Sequence, residues 1–176
     1  MKKTIVPFLF LFVLFIQACE GPIGREGPQG PPGPETMAET LEVELDFTAF
    51  NDFQEIYDFE PPIFDDDIVL GYIRWEIDPD QGAIWRPLPE TVFFEKGVLQ
   101  YKIDFTSSSF RLFLESTFNP ELLESEWLEN QYFRIVIIPS VFVNPAGRVD
   151  YTNLSLEDVL KLIGKTEADF KKIEKR

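Results

Sequence analysis

From Leu41 the chain alternates: Leu41, Val43, Leu45 and Phe47 are apolar, while Glu42, Glu44, Asp46 and Thr48 between them are polar. A period of two sends successive side chains to opposite faces of an extended strand, so one face is buried and the other wetted. The pattern returns along the chain. Val69, Ile73, Trp75 and Ile77 alternate with Tyr72, Arg74 and Glu76, with Gly71 on the apolar side. Residues 91–94 and 98–105 flank Glu95-Lys96-Gly97 as a hairpin, with Leu99, Tyr101, Ile103 and Phe105 opposite Gln100, Lys102 and Asp104. Residues 110–115 and 132–138 supply two more strands. Breaker clusters separate them at Pro61-Pro62, 78–82, 87–89 and Asn119-Pro120. Strands with one apolar face each need a second sheet to cover them. The expectation is a mainly β chain whose residues 41–143 form an antiparallel two-sheet β-sandwich, and 44% apolar residues suffice for its core.

The remainder reads as helix. Residues 120–130 are expected to form a short one with Leu122, Leu123 and Trp127 inward. In the C-terminal segment, 144–176, Ser155-Leu156-Glu157-Asp158 opens like a capping box. Leu156, Val159, Leu160 and Ile163 then form an apolar stripe, and Gly164 stops it. Thr166 is placed to cap a second helix from Glu167. Lys171, Lys172, Lys175 and Arg176 would suit that helix's C-terminal dipole.

The first 40 residues follow other rules. Lys2 and Lys3 precede an apolar run over 5–16. As helix it would cover about 18 Å, short of a bilayer core of about 30 Å, so residues 1–18 read as an export signal. Ile16-Gln17-Ala18-Cys19 resembles a bacterial lipobox. That resemblance implies cleavage before Cys19, diacylglyceryl transfer to its thiol and acylation of the new amino terminus, which together give stable anchoring in a lipid bilayer. Glu20 stands where an aspartate is associated with inner-membrane retention, which favours the outer membrane. Gly then recurs at 21, 24, 27, 30 and 33, making residues 19–40 a collagen-like tether. Two readings remain: a single-chain polyproline II spacer reaching roughly 45 Å, or a trimer zipped through the Gly-X-Y run. Five triplets offer little cooperative stability, so a monomer is expected.

Taken together, the lipobox cysteine, the Gly-Pro run, the all-β segment, Trp85-Arg86-Pro87-Leu88-Pro89 before Phe93-Phe94, and the strand ending at Pro139 resemble the collagen-like lipoproteins of Bacteroidota. The resemblance implies an envelope location and this architecture. It brings no catalytic residues and no assigned activity.

Charge and composition narrow the chemistry. There are 31 Asp and Glu against 16 Lys and Arg, a formal charge of −15 that disfavours contact with nucleic acid or anionic lipid surfaces. Histidine is absent and Cys19 is the sole cysteine, which removes histidine-based triads and Cys/His zinc sites. Calcium is the cation left to consider, at Asp65-Asp66-Asp67 or at Asp78 and Asp80 of Asp78-Pro79-Asp80-Gln81-Gly82. Acidic turn residues ordinarily cap turns instead. Trp75 lies on the buried register, whereas Trp85, with Arg86 beside it in a Pro-bounded loop, is the candidate ligand platform. Carboxylate pairs such as Glu76 with Glu90 arise by number alone in so acidic a chain. The expected function is a non-enzymatic envelope lipoprotein displaying a sandwich for binding or structural contact with an envelope protein or glycan. The alternative is a carbohydrate-binding module or minor hydrolase in glycan uptake.

Overall fold

The chain divides into two units, 1–34 and 35–176. The computed structural model describes residues 38–142, 151 and 154–174, all in the second. The expected export signal 1–18, Cys19 and the Gly-X-Y run lie outside the described residues.

Among the described residues nine strands form two sheets: β1 (Glu39–Leu45), β2 (Gln54–Asp58), β3 (Ile68–Asp78), β4 (Gly82–Pro87), β5 (Glu90–Phe94), β6 (Gly97–Phe105), β7 (Ser109–Ser116), β8 (Gln131–Ile138) and β9 (Lys171–Lys172). One sheet has the order β4-β3-β8-β1-β9 and the other β2-β7-β6-β5. Every pairing is antiparallel except β9, which lies parallel to β1. This is the expected mainly β sandwich. The hairpin is as read, Phe94 pairing with Gly97 across Glu95-Lys96.

The core between the sheets takes the apolar register of each strand: Leu41, Val43 and Leu45, then Val69 and Ile73, Leu99 and Tyr101, Phe110 and Leu112, and Phe133, Ile135 and Ile137. Gly71 is part of this fit. A Cβ there would stand 2.9 Å from Leu88 Cδ1 and 3.2 Å from Ile103 Cγ2, so the position leaves no room for a larger residue.

The five-stranded sheet is buried on its other face too. The helix α1 (Leu156–Ile163) lays Leu156, Val159, Leu160 and Ile163 against Tyr72, Val136 and Ile138. Ser155 Oγ accepts the Asp158 N–H at 3.2 Å, and Gly164 ends the helix at φ +68°. The structure thus has three layers, and Tyr72, which the alternation assigned to the wet side, is fully buried. Its hydroxyl donates to the Leu154 carbonyl at 3.2 Å.

Three local expectations are corrected. The second C-terminal helix is a 3-10 turn, Glu167–Asp169, capped by Thr166, after which the chain extends and adds β9 to the sheet edge. Its lysines answer the acidic register of β1, with Lys171 2.8 Å from Glu39 and Lys172 3.9 Å from Glu42, so they serve a strand pairing and not a helix dipole. Residues 120–130 hold two 3-10 turns, Pro120–Leu122 and Ser125–Trp127, with Leu122 exposed instead of inward. Finally, β3 slips register against β4 between Arg74 and Glu76, so Trp75 is the extra residue of a bulge. Parity changes there, and Ile77 emerges 67% exposed instead of buried.

Arg134 fastens the C-terminal segment to the sheet. Its Nε donates to Glu42 Oε2 at 3.0 Å and its Nη1 to Glu167, while the guanidinium lies 4.2 Å from the ring centres of both Trp85 and Phe170.

Candidate functional site

The bulge places Trp75 at one end of the sandwich, where the 3-10 turn Ser125–Trp127 brings Trp127 beside it. The two ring centres are 6.0 Å apart with planes at 57°. Together they border a cleft of about 340 Å³ lined also by Ile73, Arg74, Tyr101, Glu126 and Gln131. That volume falls within the roughly 300–1,000 Å³ of small-molecule sites.

Each wall is held by a specific interaction. Phe94 meets Trp127 edge-on at 5.2 Å, and Arg86 from β4 lies 4.0 Å over the Trp75 ring while pairing with Glu90 at 2.5 Å. The Tyr101 hydroxyl donates to the Trp127 carbonyl at 2.7 Å, and Gln131 Nε2 donates to the carbonyls of Glu126 and Glu129 at 2.9 and 2.8 Å. Burial, with the Glu126 charge nearby, pushes the Tyr101 hydroxyl well above the usual tyrosine range, so it stays protonated at neutral pH. The Arg74 guanidinium stacks on Tyr132 at 3.5 Å, and Tyr132 belongs to the register of β8 that faces away from the opposing sheet.

The position of the cleft follows from strand direction. The chain enters β1 at Ala38 and reaches the opposite end at Leu45, which pairs with Gln131 in the cleft floor. Seven residues of strand at about 3.3 Å each separate the two ends by roughly 20 Å.

Of the residues singled out from sequence, Arg86 stands beside this cleft and Trp85 does not. Trp85 lies on β4 and not in a loop, and neighbours on a strand face opposite ways. Its half-buried ring packs in the layer beneath α1, under Arg134, and its indole N–H is buried without an acceptor among the described residues. The pairing of Trp85 and Arg86 as one ligand platform is therefore corrected: they serve opposite faces of the sheet. The carboxylate of Glu90 is joined to Arg86 and not to Glu76.

The acidic clusters work as turns. Asp78 Oδ1 accepts the N–H groups of Asp80 and Gln81 at 2.8 Å each, shaping the β3–β4 turn. Asp67 Oδ2 accepts the Phe64 N–H at 3.0 Å, leaving Asp65 and Asp66 exposed at that turn. Among the described residues no three acidic groups converge as cation ligands.

Sequence reasoning missed the cleft because it took Trp75 for a core residue, whereas Trp127 packs against the core as read and also borders the cleft. No local signal marks it: Ile73, Trp75 and Ile77 alternate with Arg74, Glu76 and Asp78 without a break in phase, and the bulge shows only in the pairing with β4. No protein-family model, curated protein or solved structure matches the chain.

Proposed function

We propose that the chain is a lipid-anchored protein of the bacterial envelope, held at the outer membrane through Cys19, that displays its sandwich for non-enzymatic binding. The observation that supports this reading is the placement of the cleft at the end of the sandwich away from Ala38, where the chain arrives from the tether. A binding surface at that end is the arrangement a tethered receptor needs. Among the described residues Glu126 is the one carboxylate lining the cleft, and the Tyr101 hydroxyl is already committed to a carbonyl. Acid–base chemistry on a sugar would call for a second carboxylate facing the first, so binding is favoured over hydrolysis.

The test is fractionation with lipid labelling. The wild-type chain should take up labelled palmitate and sediment with the outer membrane, and Cys19→Ser should lose the label and become soluble. A Cys19→Ser protein that stays in the membrane fraction refutes the anchoring.

A further inference from the structure

The cleft has a chemistry more specific than an aromatic patch. Its two indoles meet at 57°, so they form a corner and not a flat shelf. A pyranose stacks on one open ring and needs donors and acceptors in its plane for the equatorial hydroxyls. Here both Gln131 N–H bonds are spent on backbone carbonyls, and the Tyr101 hydroxyl proton is spent on a third. A compact rounded group that needs no hydrogen bonds fits a corner better.

Charge points the same way. Glu126 lines the cleft, Glu124 and Glu129 are exposed on either side of the same turn, and the whole chain carries −15. The field at this end draws cations and repels anions. Of the nearby arginines, Arg86 is paired with Glu90 and lies 4.0 Å over the Trp75 ring without lining the cleft, and the Arg74 guanidinium is turned onto Tyr132. Aromatic faces in this molecule already hold cations, as with Arg86 on Trp75 and Arg134 on Trp85 and Phe170.

We propose that the cleft binds a compact organic cation, a quaternary or alkylated ammonium group, against the indoles of Trp75 and Trp127 with Glu126 as its counter-charge. The inference rests on the reading of the sandwich as a displayed binding module and names that module's ligand class. Attraction of an ammonium to an indole face strengthens as water is excluded, and an open cleft with one carboxylate makes such a site selective for charge more than for shape.

The experiment uses the full chain in a polyoxyethylene detergent, which is neither cationic nor a sugar, and follows calorimetry and tryptophan fluorescence. The probes are choline chloride, its neutral carbon isostere 3,3-dimethylbutan-1-ol, and a panel of neutral saccharides. Choline should bind saturably, about tenfold or more tighter than the isostere, and weaken as salt is raised. Glu126→Gln changes an exposed side chain without touching the core and should weaken choline several-fold. Trp127→Phe, which keeps an aromatic wall, should weaken it less than Trp127→Leu. Equal binding of choline and the isostere would overturn the proposal, as would absence of saturable choline binding, or a saccharide that binds and is unaffected by Glu126→Gln. The Cys19→Ser full chain should bind choline as the wild type does, so a failure of anchoring and a failure of the ligand assignment give different results.

Discussion

Replacing Arg134 with Met removes a guanidinium while keeping a stem to fill the space, and the structure sets the size of the effect. The Glu167 partner is 67% exposed, so that ion pair contributes about 0.2–1 kcal/mol. The contacts with the rings of Trp85 and Phe170 contribute about 0.5–2 kcal/mol each. Glu42 matters most. Its side chain is 17% exposed, and removing its partner would leave Lys172, 3.9 Å away, as the remaining cation. Orphaning a buried carboxylate costs about 3–5 kcal/mol, which the lysine reduces. Since these contributions share one guanidinium they do not simply add, and the expected loss is about 3–4 kcal/mol. With a urea slope of about 2 kcal/mol/M, the midpoint should fall by about 1.5–2 M at unchanged slope. Arg134→Met with Glu42→Gln should recover part of the loss, because the orphan charge is gone. Hydrogen exchange should quicken first at the Ile173 amide, which donates to the Glu42 carbonyl at 3.0 Å. A loss below about 1 kcal/mol, or a double variant as unstable as the two single losses summed, would refute the account.

Two further outcomes follow from the structure. Burial, with Asp158 nearby, pushes the Tyr72 hydroxyl up to about 12, so the fold favours its neutral form. That contribution is fully present below the unfolded value of about 10 and is lost as pH rises from there toward 12. Urea midpoints should fall over that window, less steeply in Tyr72→Phe; an identical fall in both proteins would count against it. The delipidated Cys19→Ser chain should sediment at micromolar concentration as a single chain, since acidic domains repel within a Debye length of about 8 Å and Phe113, the exposed-register aromatic, is flanked by Lys102 and Arg111. A trimer abolished by Gly27→Ala would show instead that the Gly-X-Y run assembles.

The strands that alternate cleanly were legible because their two faces meet different surroundings. β1, β3, β6 and β7 show this, and the fold class followed chiefly from them. β2, a short edge strand reading Gln-Glu-Ile-Tyr-Asp, carries too little contrast to stand out. β4 was hidden by Pro87, which is tolerated at the end of an edge strand and reads locally as a breaker. The third layer had a signal that alternation conceals: Ile135-Val136-Ile137-Ile138 is apolar without interruption, as a strand covered on both faces must be. β9 is set by tertiary context alone, through Lys171, Lys172 and the acids of β1. The cleft was illegible for a related reason. A single inserted residue at Trp75 redirects a side chain that strict periodicity buries, and no local preference announces it.

The pairing of β1 with β8 has a consequence for how the molecule comes into being. Glu42 meets Arg134 across 92 positions of chain, and Thr40 donates to the Asp169 carbonyl across 129. The first strand to emerge therefore waits for nearly the last. Loop closure over such distances is slow, and the five-stranded sheet cannot close until the segment carrying Arg134 has followed. During that interval β1 lacks both of the strands it pairs with in its sheet, β8 and β9. The topology that makes the finished sandwich late to assemble thus leaves its first strand waiting longest.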